Sequence, residues 1–65
     1  MKIKYQGKET ETDAPTIAIF LEENGVVANE VVIELDGEIV AADAIAGAPL
    51  RDGSDLNVFR IVAGG

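Results

Sequence analysis

Polar and apolar residues alternate at the start of the chain, and this alternation predicts a β-hairpin. In "MKIKY", Ile3 and Tyr5 fall on one face of a strand and the two lysines fall on the other. The "QG" that follows is typical of a tight turn. The charged "KETET" is typical of an edge strand, because charge protects an open sheet edge from aggregation. We therefore expect a first hairpin whose outer strand is polar.

The pattern changes to a helical period in "PTIAIFLEENG". Ile17, Phe20 and Leu21 lie at spacings i, i+3 and i+4, so they share one face of a helix. Thr16 is placed to cap the amino end of this helix, and Gly25 is placed to close its carboxyl end in the left-handed conformation. The shared apolar face must pack against the sheet.

The clearest strand pattern is "NEVVIELDGEIV", in which Val31, Ile33 and Leu35 alternate with their neighbours. Asp36 followed by Gly37 is a dipeptide that favours a hairpin turn with two positive φ angles. A short strand over residues 38–40 should return from that turn.

Residues 41–62 combine a small-residue loop with a closing strand. The alanine-rich "AADAIAGAPL" predicts one helical turn starting at Asp43 and then a loop, with Ile45 and Leu50 pointing inward. "RDGSD" predicts another turn, and "LNVFRIV" predicts the last strand.

The order of these elements predicts an α+β fold, with one main helix packed on one face of a mixed sheet of four to five strands. The helix connects the second strand to the third, and the right-handed crossover rule allows the last strand to lie between the first and the third. No linker or internal repeat interrupts the sequence. We therefore expect residues 1–65 to form a single domain with a flexible Gly-Gly tail.

The composition disfavours several functions. Twelve acidic residues against five basic ones give a net charge of −7, which opposes binding to nucleic acid. The sequence contains no cysteine and no histidine, so the usual nucleophile, general base and metal ligands are missing. No stretch reaches the roughly 18–20 apolar residues that span a bilayer. We expect a soluble, cytoplasmic monomer whose acidic excess either serves solubility or attracts a basic partner protein.

Alternation also divides the last strand into two faces. If Leu56 and Val58 point toward the helix, Phe59 and Ile61 are displayed on the opposite face, where a small protein has little to cover them. The two exposed side chains are then either a docking patch beside the tail or the frayed end of a strand.

The chain stops at "FRIVAGG", and its two final glycines suggest a specific chemical use. Without Cβ atoms, Gly64 and Gly65 would let the backbone enter a narrow channel and present a carboxylate to a nucleotide phosphate. Adenylation would turn one carboxylate oxygen into a good leaving group. Such a chain would need no catalytic side chain of its own, which agrees with its lack of histidine and cysteine.

Four segments carry a resemblance to a known family: "PTIAIFLEENG", "VVIELDGEIV", "PLRDGSDLNVF" and the terminal "IVAGG". Together they resemble the ThiS-type sulfur carrier proteins of thiamine biosynthesis, within the β-grasp, ubiquitin-like group that includes the small subunit of molybdopterin synthase. The resemblance covers essentially the whole chain and implies a β-grasp fold. Ala41, Ala42 and Ile45 stand where many relatives have a proline, a basic residue and an aromatic residue.

The resemblance also implies a carrier cycle. A ubiquitin-activating-type (ThiF-like) enzyme would adenylate the carboxylate of Gly65 with ATP and Mg²⁺, and a cysteine desulfurase would supply the sulfur of a thiocarboxylate. Thiazole synthase (ThiG-like) would accept that sulfur. Gly64 would be the slender neighbour of the reacting residue, and Phe59, Ile61 and Val62 would contact the activating enzyme.

Alternatives remain open. A related carrier would deliver sulfur to molybdopterin, tungstopterin or homocysteine; a ubiquitin-like modifier would pass its activated glycine to a lysine amine; a plain binding module would leave the tail inert. An enzyme is disfavoured, because Glu22 and Glu23 are adjacent on the helix and fit a solvated face. Asp52 and Asp55 likewise fit turn and strand-start positions.

Overall fold

Five strands form one mixed sheet in the structure, a computed structural model that describes residues 1–61. The strands and the main helix are β1 (Lys2–Tyr5), β2 (Lys8–Glu11), α1 (Ile17–Glu23), β3 (Val31–Leu35), β4 (Glu38–Val40) and β5 (Asp55–Arg60). Two 3₁₀ turns, Ala28–Glu30 and Ala42–Gly47, complete the regular elements. The α+β prediction with one main helix is confirmed.

The strand order is β2-β1-β5-β3-β4, so the last strand lies between the first and the third as predicted. β5 runs parallel to β1, with Tyr5 opposite Leu56, and antiparallel to β3, with Val32 opposite Phe59. The polar strand β2 lies at one edge, which confirms the expectation from its charges. The strand that leads to the tail is therefore held on both sides.

Both predicted hairpin turns are present, and the positive φ angles expected at Asp36-Gly37 also occur at Gln6-Gly7, where only a tight turn was predicted. Gln6 and Gly7 have φ angles of 53° and 80°, and Asp36 and Gly37 have φ angles of 52° and 87°. Two consecutive positive φ angles match the right-handed twist of the strands that the turn joins. The β1–β2 and β3–β4 registers follow from these two turns.

The helix ends are closed by the residues predicted from the sequence. The Oγ1 atom of Thr16 accepts a hydrogen bond from the N–H of Ile19 at 3.2 Å, which satisfies one free donor of the first turn. Gly25 has a φ angle of +70°, and the N–H of Val26 beyond it donates to the carbonyl of Leu21 at 2.8 Å. This arrangement satisfies a free carbonyl of the last turn.

The core lies between α1 and one face of the sheet. Phe20 packs edge-on against Tyr5, with ring centroids 4.8 Å apart and an interplanar angle of 77°. The buried apolar residues are Ile3, Ala14, Ile17, Phe20, Leu21, Ile33, Ile45, Leu50 and Leu56. The inward positions predicted for the helix and for the loop after β4 are therefore confirmed.

Three local predictions differ from the structure. The turn expected from Asp43 begins at Ala42 and is a six-residue 3₁₀ segment, and the 3₁₀ turn before β3 was not expected. β5 begins at Asp55 because the carbonyl of Asp55 accepts from the N–H of Asp36 at 2.8 Å. It ends at Arg60 because its neighbour β3 begins opposite that residue, at Val31. Ladder pairing, which a single strand does not encode, decides both ends.

The buried centre of β3 gives a test of core packing. We expect Ile33→Val to lower the free energy of unfolding by about 0.5–1.5 kcal/mol, because Ile33 is fully buried and one methyl is lost. The melting temperature should fall by about 4–8 °C per kcal/mol. The matched control is Ile39→Val, which removes the same methyl from an exposed side chain on β4. Equal losses for both variants, measured by thermal denaturation, would contradict this packing.

Candidate functional site

The end of β5 displays two apolar side chains where the chain leaves the sheet. Phe59 is 51% exposed and Ile61 is 52% exposed, whereas Leu56 is fully buried and Val58 is half-buried against the core. The division of this strand into two faces therefore agrees with its alternation. Val62, Gly64 and Gly65, which the sequence also singled out, lie outside the described residues.

The neighbouring strands extend this exposed apolar surface across the sheet. Val32 lies directly opposite Phe59, and Ile39 on β4 shares the same face through its pairing with Glu34. We call Val32, Ile39, Phe59 and Ile61 the sheet patch. Ile39 is 64% exposed, so the patch is open to a partner rather than covered by the helix.

Acidic side chains border the sheet patch. The Nδ2 atom of Asn57 donates to Oε1 of Glu34 at 3.2 Å and lies 3.4 Å from Oδ1 of Asp55, so one amide holds two carboxylates on the same face. The ion pair found among residues 1–61 lies elsewhere, between Lys2 and Glu9 at 3.3 Å, on β1 and β2. The two carboxylates favour a basic group on a partner, while Lys4 lies opposite Asp55 on the same face of the sheet.

The side chain of Gln6 continues the hydrogen bonding between β1 and β5 beyond the end of β1. The backbone ladder ends where the N–H of Gln6 donates to the carbonyl of Leu56 at 3.0 Å, and the chain then turns away. The amide of Gln6 takes the place of the missing strand: Nε2 donates to the carbonyl of Val58 at 2.7 Å, and Oε1 accepts from the N–H of Val58 at 2.8 Å. Both main-chain groups of Val58 are thus satisfied.

The next residue on this edge of β5 is Arg60. Alternate residues of a strand direct their N–H and C=O groups to the same side, so Arg60 follows Val58 toward β1, which does not extend that far. Ile61 points the other way and donates its N–H to the carbonyl of Glu30 at 3.1 Å. Arg60 therefore presents its main-chain groups at an open edge within the described part of the chain.

A groove of about 590 Å³ lies at this edge, on the helix side of the sheet. We call it the β5 groove. Its lining includes Tyr5, Gln6, Val26, Val27, Val58 and Arg60.

Asp52 and Asp55, which were considered as catalytic candidates, take part in hydrogen bonds that hold the fold together. Oδ1 of Asp52 accepts from the N–H of Lys2 at 2.9 Å, and the N–H of Asp55 donates to Oδ1 of Asp36 at 2.9 Å. Within residues 1–61, no group of three or more acidic, histidine or cysteine side chains is arranged to hold a metal ion. None of the helices described there has the length and apolar character that crossing a bilayer requires.

The role of Gln6 was missed by the sequence analysis, which treated the residue only as part of a turn. A signal was present, however. The first position of this kind of turn needs a positive φ, which asparagine, aspartate and glycine adopt more readily than glutamine. A glutamine at this position indicates that its longer side chain is used.

Comparison with solved structures finds close matches over the whole chain. The crystal structure of a thiamine biosynthesis protein (ThiS) from Geobacter metallireducens aligns with a TM-score of 0.87 at 25% identity and covers 100% of both chains. An NMR structure of a thiamine biosynthesis protein from the same organism aligns with a TM-score of 0.78 at 25% identity, covering 100% of this chain and 88% of the other. Among curated proteins, no match is found.

The mixed five-stranded sheet, its single main helix and the structural match define a β-grasp protein. The family model of the ThiS family matches residues 2–65. The chain therefore belongs to the ThiS family, and this membership supports a sulfur-carrier role.

The amide of Gln6 can be tested by shortening it. We expect Gln6→Asn to lower the free energy of unfolding by about 1–3 kcal/mol, since asparagine accepts the positive φ but falls one methylene short of both hydrogen bonds to Val58. Hydrogen exchange at the Val58 amide should become faster than at the Leu56 amide in the same strand. An unchanged exchange rate at Val58 would contradict the role of the side chain.

Proposed function

We propose that this chain is a sulfur carrier whose Gly65 carboxylate is adenylated and then converted to a thiocarboxylate. The observation that carries the proposal is the match to the ThiS family, which runs through the Gly-Gly sequence to residue 65. A ThiF-like enzyme, using ATP and Mg²⁺, is the proposed activating partner. The sequence contains no histidine or cysteine, so the catalytic groups are assigned to partners.

The proposed chemistry has three steps. A carboxylate oxygen of Gly65 attacks the α-phosphorus of ATP, and pyrophosphate leaves. A persulfide sulfur on a cysteine desulfurase or a similar donor then attacks the acyl carbon, and AMP leaves with the former carboxylate oxygen. A second thiol reduces the resulting acyl disulfide, which releases the thiocarboxylate and leaves a disulfide behind. Gly64 contributes by having no side chain to obstruct the approach.

The sheet patch is the proposed docking surface for the activating enzyme. Phe59 and Ile61 belong to it, and Val62 is proposed to continue it toward the tail. Exposed apolar residues in one contiguous surface mark interaction sites in small proteins. The carboxylates of Glu34 and Asp55 beside the patch favour a partner with basic residues around an apolar centre.

Thiamine biosynthesis is the proposed pathway, with a ThiG-like thiazole synthase as the sulfur acceptor. The support is that both matched structures are described as thiamine biosynthesis proteins. We propose that the carrier is a monomer, because it must leave one enzyme to meet the next.

Intact mass measurement tests the carboxylate chemistry. After incubation with a ThiF-like enzyme, ATP, Mg²⁺ and a persulfide donor, we expect the mass to show one C-terminal oxygen replaced by sulfur. The variant lacking Gly65 should remain unmodified under the same conditions, while Ile19→Ala, altered on the exposed side of α1, should react normally. Attachment to lysines of other proteins would instead indicate a modifier, and an unchanged wild-type mass would contradict the proposal.

Binding measurements test the docking surface. We expect Phe59→Ala to raise the dissociation constant for the ThiF-like enzyme about tenfold, because a half-exposed aromatic at the centre of an interface commonly contributes more than 1 kcal/mol. Ile19→Ala removes an exposed apolar side chain from the helix and serves as the control. Equal affinities for the two variants, measured by titration calorimetry, would exclude Phe59 from the interface.

A further inference from the structure

The length of the tail restricts where a partner can sit. Gly65 is four positions beyond Ile61 in the sequence, and a fully extended chain spans at most about 3.6 Å per residue, so the reach from Ile61 to Gly65 is at most about 14 Å. An enzyme that takes the Gly65 carboxylate into a nucleotide site must therefore bring its surface to the end of β5. The β5 groove opens at this end, beside Arg60 and Ile61.

The open edge of β5 defines the chemistry of what can bind there. Gln6 satisfies the main-chain groups of Val58 through two short hydrogen bonds, and Arg60 is the next residue with its N–H and C=O on that side. An extended peptide backbone supplies both an acceptor and a donor at strand spacing, as in recognition by strand addition. The edge therefore fits an extended segment of another chain.

The lining of the groove fits the side chains of such a segment. Tyr5, Val26 and Val58 are partly buried in its walls, and Val27 is 55% exposed. The lining is mixed, because Gln6, Asn29, Glu30 and Arg60 add polar and charged groups to it. In an extended segment, side chains alternate between two faces. An apolar side chain can thus enter the groove next to Val27 while the backbone pairs with Arg60.

We propose that the enzyme which adenylates Gly65 inserts an extended segment into the β5 groove. The backbone of this segment pairs with the main-chain N–H and C=O of Arg60, the next residue on this edge after Val58, whose groups Gln6 already satisfies. The proposal rests on the proposed function, because the short tail brings that enzyme to this edge. The contact meets the sheet patch at Ile61, which also lines the groove, whereas Val32, Ile39 and Phe59 lie on the opposite face of the sheet. The carrier is thus held on both faces at the base of its tail.

Proline substitution tests the backbone pairing directly. Arg60→Pro removes an N–H that faces the groove and takes no part in pairing with β3. Strands tolerate proline at a position whose N–H makes no hydrogen bond to a neighbouring strand. Relative to Arg60→Ala, which removes only the side chain, we expect it to raise the dissociation constant for the purified ThiF-like enzyme about tenfold, since a buried partner carbonyl loses its donor. Equal affinities of the two variants, both shown to be folded by circular dichroism, would overturn the pairing.

A second pair of variants tests the groove if Arg60→Pro fails to fold. Val27→Arg fills the groove, and Ile19→Arg adds the same charge and bulk to the exposed side of α1. We expect only Val27→Arg to weaken binding and to slow thiocarboxylate formation, each by about tenfold or more. If the wild-type chain is modified and Val27→Arg matches its control, the groove proposal alone is overturned. If the wild-type chain neither binds nor becomes modified, the proposed function fails and the groove proposal fails with it.

Discussion

The hydrogen bonding of β5 on both of its sides is the constraint on which the rest of the structure depends. The strand pairs in parallel with β1 and in antiparallel register with β3, and its fully buried Leu56 packs into the core beneath α1. Both of its neighbours are distant in sequence, so the sheet closes only when the last part of the chain is in place. The residues that lead to the tail are therefore anchored in the centre of the molecule.

The first half of β5 anchors the strand in the sheet, and its last residues are accessible to a partner. Its first half is paired on both sides and contains the buried Leu56, whereas its last residues expose Phe59 on one face and an open edge at Arg60. The change occurs at Val58, where the amide of Gln6 replaces a strand. Gln6, a turn residue, thus satisfies the main-chain groups of Val58, and the accessible edge of β5 begins after that residue.

Ion pairing contributes little to the stability of the described part of this fold, residues 1–61. The Lys2–Glu9 ion pair is largely exposed, with side-chain exposures of 61% and 73%, so its stabilising effect is small. The core consists of aliphatic side chains around one aromatic pair. An acidic surface of this kind speeds association with a basic partner, and salt weakens that effect.

Local patterns in the sequence determined the helix with Thr16 and Gly25 at its ends, both hairpin turns and the inward residues, because each depends on neighbours within a few positions. The role of Gly64 and Gly65 comes from the sequence alone and stays a prediction. Only the tertiary structure decided where β5 begins and ends and what borders it. Those features depend on pairing with β1 and β3 across long sequence separations, and on a glutamine amide whose partner lies 52 residues away.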